Sequence, residues 1–312
     1  MAQKKRPQKG GEYQGRPKRG ADARAKGAQG RGARAAAQQR MPQTSRAQQA
    51  ASSQRRDVHA SEGNYIEGRR AAFEALRTGF PIKRALIAQG VENESAIREL
   101  LAGLGKAGVT VKSVPRAQLD GISSHGAHQG IVLEVGKFPY ADLSDIIAAA
   151  PANAPALVVV LDHVTDAGNF GAIVRSAEVV GATGVVIPNK RSAEVTVATY
   201  KTSAGAVMHL PIAQVPNIAR ALEDLKSAGF WVGGATEHAT DVCWDAPLEG
   251  RVALVMGSEG DGISRLVLDT CDFTTKLPQR GETESLNVAQ AATALCFEWL
   301  RRNREVLVSA GD

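Results

Sequence analysis

Hydrophobic and polar positions vary along this chain in blocks that predict strands and helices in turn, from about residue 64 onwards. Short apolar runs bounded by polar or glycine residues predict strands, and apolar residues three or four positions apart predict helices. The predicted strands cover residues 84–88, 109–114, 130–135, 156–161, 185–188, 210–215, 230–236, 252–256 and 273–277. The predicted helices cover residues 69–77, 94–104, 115–119, 217–227 and 286–301, together with a helix that follows Asn169. This alternation predicts an α/β fold with a mostly parallel sheet and helices on both faces.

The pattern also divides the chain into regions. Residues 156–161 form a continuous apolar run, which is typical of a strand buried on both faces of a sheet. An Ala- and Pro-rich stretch precedes this run, and a smaller α/β pattern lies before that stretch. We therefore predict a basic tail over residues 1–60, a compact α/β module over 63–138, a linker over 139–155 and a larger α/β domain over 156–304.

The tail carries the excess positive charge of the chain. Residues 1–60 hold fifteen Lys or Arg and three acidic residues, a net of +12, whereas the whole chain has a formal charge of +6 and the remainder therefore −6. With almost no large apolar residue, the tail is predicted to be disordered. A mobile polycation binds polyanions by releasing their counterions, which favours nucleic acid as a partner. The alternatives are a solubilising extension and a transit peptide, although the tail lacks an amphipathic apolar face.

Several classes of protein do not fit the composition. No apolar run is long enough to span a bilayer and no signal-peptide pattern is present, so we expect a cytoplasmic protein without a membrane partner. The three cysteines lack any CxxC spacing, and the histidines are scattered, so neither a disulfide framework nor a metal site is predicted. No Ser/His/Asp or Cys/His set stands out, which gives no support to hydrolysis through an activated nucleophile.

Three short polar motifs follow apolar runs in the second half of the chain. They occupy residues 166–176, 256–260 and 278–288. In an open α/β sheet the carboxyl ends of the strands are where a ligand site assembles. The sequence therefore predicts one site built from all three motifs.

Two common nucleotide-binding motifs are excluded. The first motif has a G-x-x-G turn but lacks the full GxGxxG, and the next strand ends in Asn189-Lys190 rather than in an acidic residue, which argues against a dinucleotide fold. The second motif, Gly257-Ser258-Glu259-Gly260, lacks the length and the Lys-Ser/Thr ending of a phosphate-binding P-loop.

Each polar residue of the motifs also has a plain structural interpretation. Asn169 and Ser285 stand where helix N-caps are expected. Glu259 is compatible with a loop carboxylate, and Arg175 falls on the polar side of its helix, where solvated arginines are common. Only their joint occurrence favours a functional interpretation, in which a guanidinium binds phosphate.

Together the motifs resemble those of a known family. Asn169 with Arg175, the turn 256–260, and the stretch from Pro278 through Gly281 to 285–288 resemble the three motifs of the SpoU/TrmH family of RNA ribose 2′-O-methyltransferases, in the SPOUT superfamily. The resemblance continues between the motifs and covers about residues 156–302.

The smaller module resembles the substrate-binding domain of the same family, which is similar to ribosomal protein L30e. The resemblance is carried by residues 65–71 at its start and 128–131 at its end. This pairing of domains is commonest in the branch that methylates a guanosine of 23S rRNA. The basic tail is an extra segment that distinguishes this chain from the compact members of the family.

The resemblance implies a fold, a cofactor and an assembly. Residues 156–304 would form a SPOUT α/β domain with a deep trefoil knot, preceded by an L30e-like domain over 63–138. The cofactor would be S-adenosyl-L-methionine, and the working unit would be a homodimer with each active site near the subunit interface. The implied cofactor-binding residues are Thr236, Gly257, Leu277 and Leu286.

The resemblance also implies catalytic residues. In the family the deprotonation of the ribose 2′-OH is attributed to the arginine that corresponds to Arg175. A guanidinium keeps its proton in proteins, so we expect Arg175 instead to bind a neighbouring phosphate and to ease proton loss electrostatically. The residues expected to position Arg175, the ribose and the cofactor are Asn169, Glu259, Ser285 and Asn287.

The sequence thus predicts an S-adenosylmethionine-dependent RNA ribose 2′-O-methyltransferase that acts on a guanosine in 23S rRNA. One alternative is a tRNA 2′-O-methyltransferase. The other belongs to a different class, a non-catalytic RNA-binding or ribosome assembly factor that keeps the fold. Cofactor binding and dependence on Arg175 distinguish the enzyme from this second alternative.

Overall fold

The structure is a computed structural model that describes residues 64–123, 128–282 and 285–305. The tail predicted over residues 1–60 lies outside the described residues. Within the described ranges, no helix is long and apolar enough to cross a membrane. These ranges form two β-sheets, one in each half of the described chain.

The first sheet has four strands in the described residues. They are β1 (Asn64–Glu67), β2 (Ile82–Ala88), β3 (Thr110–Val114) and β4 (Ile131–Val135), in the spatial order β1-β4-β2-β3. Strands β2 and β3 are parallel, whereas β4 runs antiparallel to both β1 and β2. The sequence pattern did not predict β1, because Ile66 is its one buried residue and a single apolar position gives no alternation.

Three helices accompany this sheet in the described residues, namely α1 (Arg69–Arg77), α2 (Ser95–Lys106) and α3 (Arg116–Ile122). The predicted helix over 69–77 is confirmed, and it packs on the sheet through small buried residues, Ala71, Ala72 and Ala75. It ends where expected, because Gly79 has a φ of 66°, a left-handed backbone that glycine adopts readily.

The segment 139–155, predicted to be a linker, contains a packed helix. Helix α4 (Leu143–Ala149) begins at Asp142, and its Ile146 is fully buried. A Cβ atom on Gly184 would lie 2.7 Å from Ile146 Cδ1, so the side chain fills the space that this glycine leaves. The Ala and Pro content suggested an extended connection, but the Leu-x-x-Ile spacing within it is sufficient for two helical turns.

The second sheet has six strands in the described residues. They are β5 (Ala156–Leu161), β6 (Gly184–Pro188), β7 (Ile212–Val215), β8 (Trp231–Ala235), β9 (Arg251–Met256) and β10 (Phe273–Thr275). Their spatial order is β10-β8-β9-β5-β6-β7, and every neighbouring pair is parallel. All residues of β5 are buried, as its continuous apolar run predicts. The predicted α/β fold with a parallel sheet is therefore confirmed.

Helices cover both faces of this sheet. They are α5 (Ala167–Val179), α6 (Val197–Thr202), α7 (Ile218–Ser227), α8 (Arg265–Thr270) and α9 (Val288–Arg302). Helices α5, α6 and α9 contribute to one apolar core, while α4, α7 and α8 contribute to a second core. The sequence pattern missed α6 and α8, because six residues are too few to show a helical period.

The two halves of the described chain pack against each other. Glu74 of α1 contacts His209, which follows a 3₁₀ turn over Ala206–Met208. The Glu74 carboxylate also forms an ion pair with Arg77 at 2.6 Å. The ring of Phe80 meets that of Tyr200 edge-on, with their centroids 5.9 Å apart. Apolar residues of the first sheet and of helices α5, α6 and α9 therefore belong to one continuous core.

Candidate active site

The three polar motifs meet at the carboxyl edge of the second sheet. The first follows β5, the second follows β9, and the third connects β10 to α9. Strands β5 and β9 are direct neighbours, with Leu161 opposite Met256, so the loops that follow them are adjacent. The expectation that strand ends bring the motifs together is met by this geometry.

Helix α5 begins at Asp166 rather than at Asn169. The Asp166 side chain accepts a hydrogen bond from the Asn169 backbone N–H at 2.7 Å, which makes Asp166 the N-cap. The capping interpretation of Asn169 is therefore wrong. Asn169 lies in the first turn of the helix, and its carboxamide is available to other partners.

Helix α9 begins at Asn287, so the expectation that Ser285 caps it is also wrong. Asn287 Oδ1 accepts hydrogen bonds from the backbone N–H groups of Ala289, at 2.9 Å, and Gln290, at 3.4 Å. Ser285 lies two residues earlier in an exposed part of the loop. The helix starts later than predicted because the chain stays extended at Asn287, with φ −53° and ψ 140°.

Asn169, Glu259 and Asn287, one residue from each motif, form what we call the amide–carboxylate network. Asn169 Nδ2 donates to Glu259 Oε1 at 3.0 Å. Asn287 Nδ2 donates to the same oxygen at 2.5 Å and to Asn169 Oδ1 at 2.9 Å. Because one carboxylate oxygen accepts two amide donors, Glu259 ties together loops that lie up to 118 residues apart.

The turn that carries Glu259 depends on glycine. A Cβ atom on Gly257 would lie 2.1 Å from the carbonyl carbon of Gly262, so only glycine fits there. Ser258 and Gly262 exchange backbone hydrogen bonds at 3.0 and 3.1 Å, and Ser258 Oγ accepts from Asp261 N at 3.1 Å. This tight turn projects Glu259 away from the end of β9.

A first cavity of about 510 Å³ lies at the ends of β8, β9 and β10. All four residues predicted to bind the cofactor line it, namely Thr236, Gly257, Leu277 and Leu286. Ser285, Glu259 and Asn287 line it as well. A volume of this size is in the range of small-molecule sites, roughly 300–1,000 Å³.

A second cavity of about 630 Å³ lies at the ends of β9, β5 and β6. Glu259 lines both cavities, Asn169 lines the second, and Asn287 lines the first. The amide–carboxylate network therefore stands between the two cavities. A group bound in one cavity faces a group bound in the other across these three side chains.

Among the predicted catalytic residues, Ser285 lines the first cavity without joining the network, whereas Arg175 reaches neither the network nor a cavity within the described chain. It lies on the exposed side of α5, two helical turns beyond the first turn that holds Asn169, and lines neither cavity. Within the described ranges its guanidinium has no hydrogen bond or ion pair.

Three residues that line the second cavity were not among the predicted site residues, namely Asp166, His163 and Arg191. Asp166 caps α5, and the signal was present, since Asp is a favoured N-cap and stands three residues before Asn169. His163 and Arg191 follow β5 and β6 by two and three residues, which is the same strand-end signal that marked the motifs.

The cysteines provide no nucleophile at this site. All three are free thiols. Burial raises the pKa of the Cys271 and Cys296 thiols to about 12 and also raises the pKa of Cys243. Neutral thiols are poor nucleophiles. At neutral pH the reactive groups at this site are therefore the oxygen and nitrogen groups around the cavities.

Comparison with known families gives two matches that together span most of the described chain. Residues 156–297 match the SpoU rRNA methylase family. Residues 65–141 match a domain described as RNA 2′-O ribose methyltransferase substrate binding. The first match contains both cavities and the second contains the first sheet.

Comparisons with individual proteins give the same family relationship. The chain is 39% identical over 258 residues to an uncharacterized tRNA/rRNA methyltransferase of Mycobacterium ulcerans (strain Agy99), covering 82% of this chain and 83% of that protein. It is similar in structure to the SpoU methyltransferase AviRb from Streptomyces viridochromogenes, solved with S-adenosylmethionine, at 28% identity and a TM-score of 0.67 over 77% of this chain and 90% of that chain. A crystal structure of an RNA 2′-O ribose methyltransferase is similar at 25% identity and a TM-score of 0.64, covering 76% and 88% of the two chains.

Proposed function

The chain belongs to the SpoU family of S-adenosylmethionine-dependent RNA methyltransferases, and we propose that it methylates the ribose 2′-hydroxyl of a guanosine in 23S rRNA. The observation that carries this proposal is the amide–carboxylate network between the two cavities. This arrangement would hold a methyl donor on one side of the network and an RNA ribose on the other side within reach of the same three side chains.

The first cavity suits the cofactor. Within the described chain, the backbone N–H and C=O groups of Leu277 and Leu286 make no hydrogen bonds, so they are available to the polar edge of an adenine ring. Thr236 and Gly257 line the same cavity, where Gly257 allows the backbone to approach a ligand closely. We assign cofactor binding to these four residues.

For methyl transfer the chain must hold the methyl donor and the ribose 2′-oxygen in line. When bound, S-adenosylmethionine supplies a methyl group on a positively charged sulfur. The ribose 2′-oxygen would take this methyl group as the methyl–sulfur bond breaks, with S-adenosylhomocysteine as the leaving group and the hydroxyl proton released to solvent. Asn169 and Glu259 hold the ribose side, whereas Asn287 and Ser285 hold the cofactor side. Fixing both reactants in line supplies much of the rate.

Arg175 has a separate role in this proposal. Its guanidinium binds an RNA phosphate and stabilises the negative charge that develops on the 2′-oxygen. On α5 it shares a face with Val179, four residues further on. Val179 is 59% exposed and Phe297 of the neighbouring helix α9 is 46% exposed, although both are apolar. We propose that a second copy of the chain covers this face, so that Arg175, which lines neither cavity of its own subunit, meets the RNA bound at the subunit interface of a homodimer.

The proposed knot is supported by contacts of the C-terminal segment. Cys243 N donates to Lys276 O at 2.9 Å, and Asn303 Oδ1 accepts from Gly250 N at 2.7 Å. The middle and the end of the long β8–β9 loop are thus bonded to the segment that follows β9. A segment threaded through that loop accounts for both contacts.

The choice of rRNA depends on the domain pairing. A substrate-binding domain before the methyltransferase domain suits a large structured RNA, and the match over residues 65–141 supports this choice. A tRNA substrate is the nearest alternative, since the similar mycobacterial protein is named for both RNA classes.

The test is to incubate the protein with methyl-labelled S-adenosylmethionine and unmodified 23S rRNA, 16S rRNA and tRNA in separate reactions. We expect label in 23S rRNA alone and its loss in Arg175→Ala, which should still bind the cofactor. Label in tRNA alone would overturn the assignment of 23S rRNA as the substrate. No cofactor binding by the wild-type chain would instead favour a non-catalytic RNA-binding factor.

A further inference from the structure

The second cavity contains basic residues that neither the motifs nor the proposed mechanism uses. His163 lies in the loop after β5, and Arg191 lies in the loop after β6. They are the basic residues among those that line this cavity in the described chain. Their positions place them beside the amide–carboxylate network but on the side away from the first cavity.

Both residues have a strained backbone. The φ of His163 is 62° and that of Arg191 is 54°, in the left-handed region that non-glycine residues avoid. Four non-glycine residues in the described ranges have positive φ, and these two line the same cavity. Strain that persists at neighbouring positions of one cavity points to a functional constraint on where the side chains project.

The two loops are fixed to each other. Ala193 N donates to Val164 O at 2.8 Å, which joins the turn after Arg191 to the segment after His163. His163 Nδ1 lies 2.6 Å from Oδ1 of the buried Asp162 carboxylate, although the two atoms do not have hydrogen-bond geometry. The Arg191 side chain, in contrast, is exposed and has no hydrogen bond or ion pair within the described chain.

Charge is divided across the cavity. The β9 loop contributes the acidic Glu259 and Asp261, the loop after β5 contributes both the acidic Asp166 and the basic His163, and the loop after β6 contributes Arg191. Because β5 lies between β6 and β9 in the sheet, Arg191 enters the cavity from the side away from the β9 loop. An anion is favoured at the β6 end, and hydroxyl donors are favoured at the β9 end.

We infer that the second cavity is an RNA subsite in which Arg191 and His163 bind a backbone phosphate next to the ribose held at Asn169 and Glu259. The inference depends on the proposed function for the identity of the ribose, but the phosphate contact itself is a binding property. A guanidinium binds a phosphate through paired N–H groups, and the free Arg191 side chain is available for this contact.

The decisive variant is Arg191→Gly, because glycine adopts the left-handed backbone without strain and removes the guanidinium. We expect its Tm to equal or exceed that of the wild type. We expect its KM for RNA to rise about tenfold, with cofactor affinity unchanged. The slope of log RNA affinity against log salt concentration should decrease in magnitude by about one, the loss of one phosphate contact. His163→Asn, which also tolerates this backbone, should weaken RNA binding in the same direction.

Lys190→Ala is the matched control, since it removes one positive charge from the neighbouring exposed position that does not line the cavity. Its KM for RNA should stay within about twofold of the wild type. Wild-type RNA affinity and salt slope in Arg191→Gly would overturn the inference while leaving the proposed function intact. Failure of the wild-type chain to methylate any RNA would overturn the proposed function, and the binding measurements would still decide whether Arg191 contacts phosphate.

Discussion

At the scale of single residues, Asn287 acts through two different atoms. Its Oδ1 accepts hydrogen bonds from the first turn of α9, while its Nδ2 donates to Glu259 and Asn169. The two actions can be separated by substitution. Serine keeps an oxygen that can cap the helix but has no amide donor, and alanine has neither.

We therefore expect Asn287→Ser and Asn287→Ala to differ in stability but not in activity. The free energy of unfolding of the serine variant should stay within about 0.5 kcal/mol of the wild type, whereas alanine should lower it by about 1 kcal/mol. Both should lower kcat roughly 100-fold, because the network loses its link to Glu259. Urea unfolding and single-turnover kinetics provide the two measurements. A serine variant with wild-type kcat would show that the network is structural only.

The sequence could predict which residues meet at the site but not how each is oriented. Asn169, Glu259 and Asn287 follow strand ends, and parallel strands bring their ends to one edge. The N-caps were predicted at Asn169 and Ser285 rather than at Asp166 and Asn287, because a cap depends on the residue at which the backbone leaves the extended region. Ser, Asp and Asn all fit that position by composition alone.

At the scale of elements, the packing of α5 on α6 depends on Gly171. A Cβ atom there would lie 1.9 Å from Thr202 Oγ1 and 3.0 Å from the backbone nitrogen of Ser203. The hydroxyl can rotate away, but the backbone nitrogen cannot move without shifting α6. The close approach also positions the first turn of α5, which carries Asn169.

Gly171→Ala is expected to lower the free energy of unfolding by about 1–3 kcal/mol, the usual effect of overpacking. Gly105→Ala in α2 is the matched control, because a Cβ atom there would have no neighbour within 4 Å. That substitution should raise stability by about 0.5–1 kcal/mol, since alanine favours the helix. Equal effects of the two substitutions on urea unfolding would contradict the close packing of α5 and α6.

The elements that the sequence predicted are those with long periodic patterns. Strand β5 and helices α1 and α7 have enough apolar positions to define a period. Helices α6 and α8 are stabilised by tertiary contacts, and six residues show too little of a helical pattern. The order of the six strands could not be predicted, because β9 returns to a position beside β5 after β6 and β7 have been added on the other side, and β8 and β10 lie beyond β9.

At the scale of the whole molecule, the proposed dimer has a direct test. Phe297→Glu places a charge on the exposed apolar face of α5 and α9, and burying that charge in an interface is unfavourable. In sedimentation experiments we expect the wild-type chain to be a dimer and Phe297→Glu to be a monomer. Leu266→Glu is the control, since Leu266 is 65% exposed but belongs to α8, in the other helix layer. Dissociation by both variants, or by neither, would contradict a dimer through this face.

The basic tail gives a second prediction at this scale. Deleting residues 1–60 removes a net charge of +12. RNA affinity should therefore fall and its dependence on salt should flatten, because fewer counterions are released. Cofactor affinity should not change. Loss of cofactor binding on truncation, measured by calorimetry, would show that the tail is part of the methyltransferase site.

The most direct measurement is the chemical position of the transferred methyl group. RNA labelled by the protein from methyl-labelled S-adenosylmethionine is hydrolysed in alkali, which cleaves wherever a 2′-hydroxyl is free. A 2′-O-methyl group blocks that cleavage, so we predict label in an alkali-stable dinucleotide whose 5′ nucleoside is guanosine. Label in an ordinary mononucleotide would place the methyl on a base and would contradict transfer to the ribose between the two cavities.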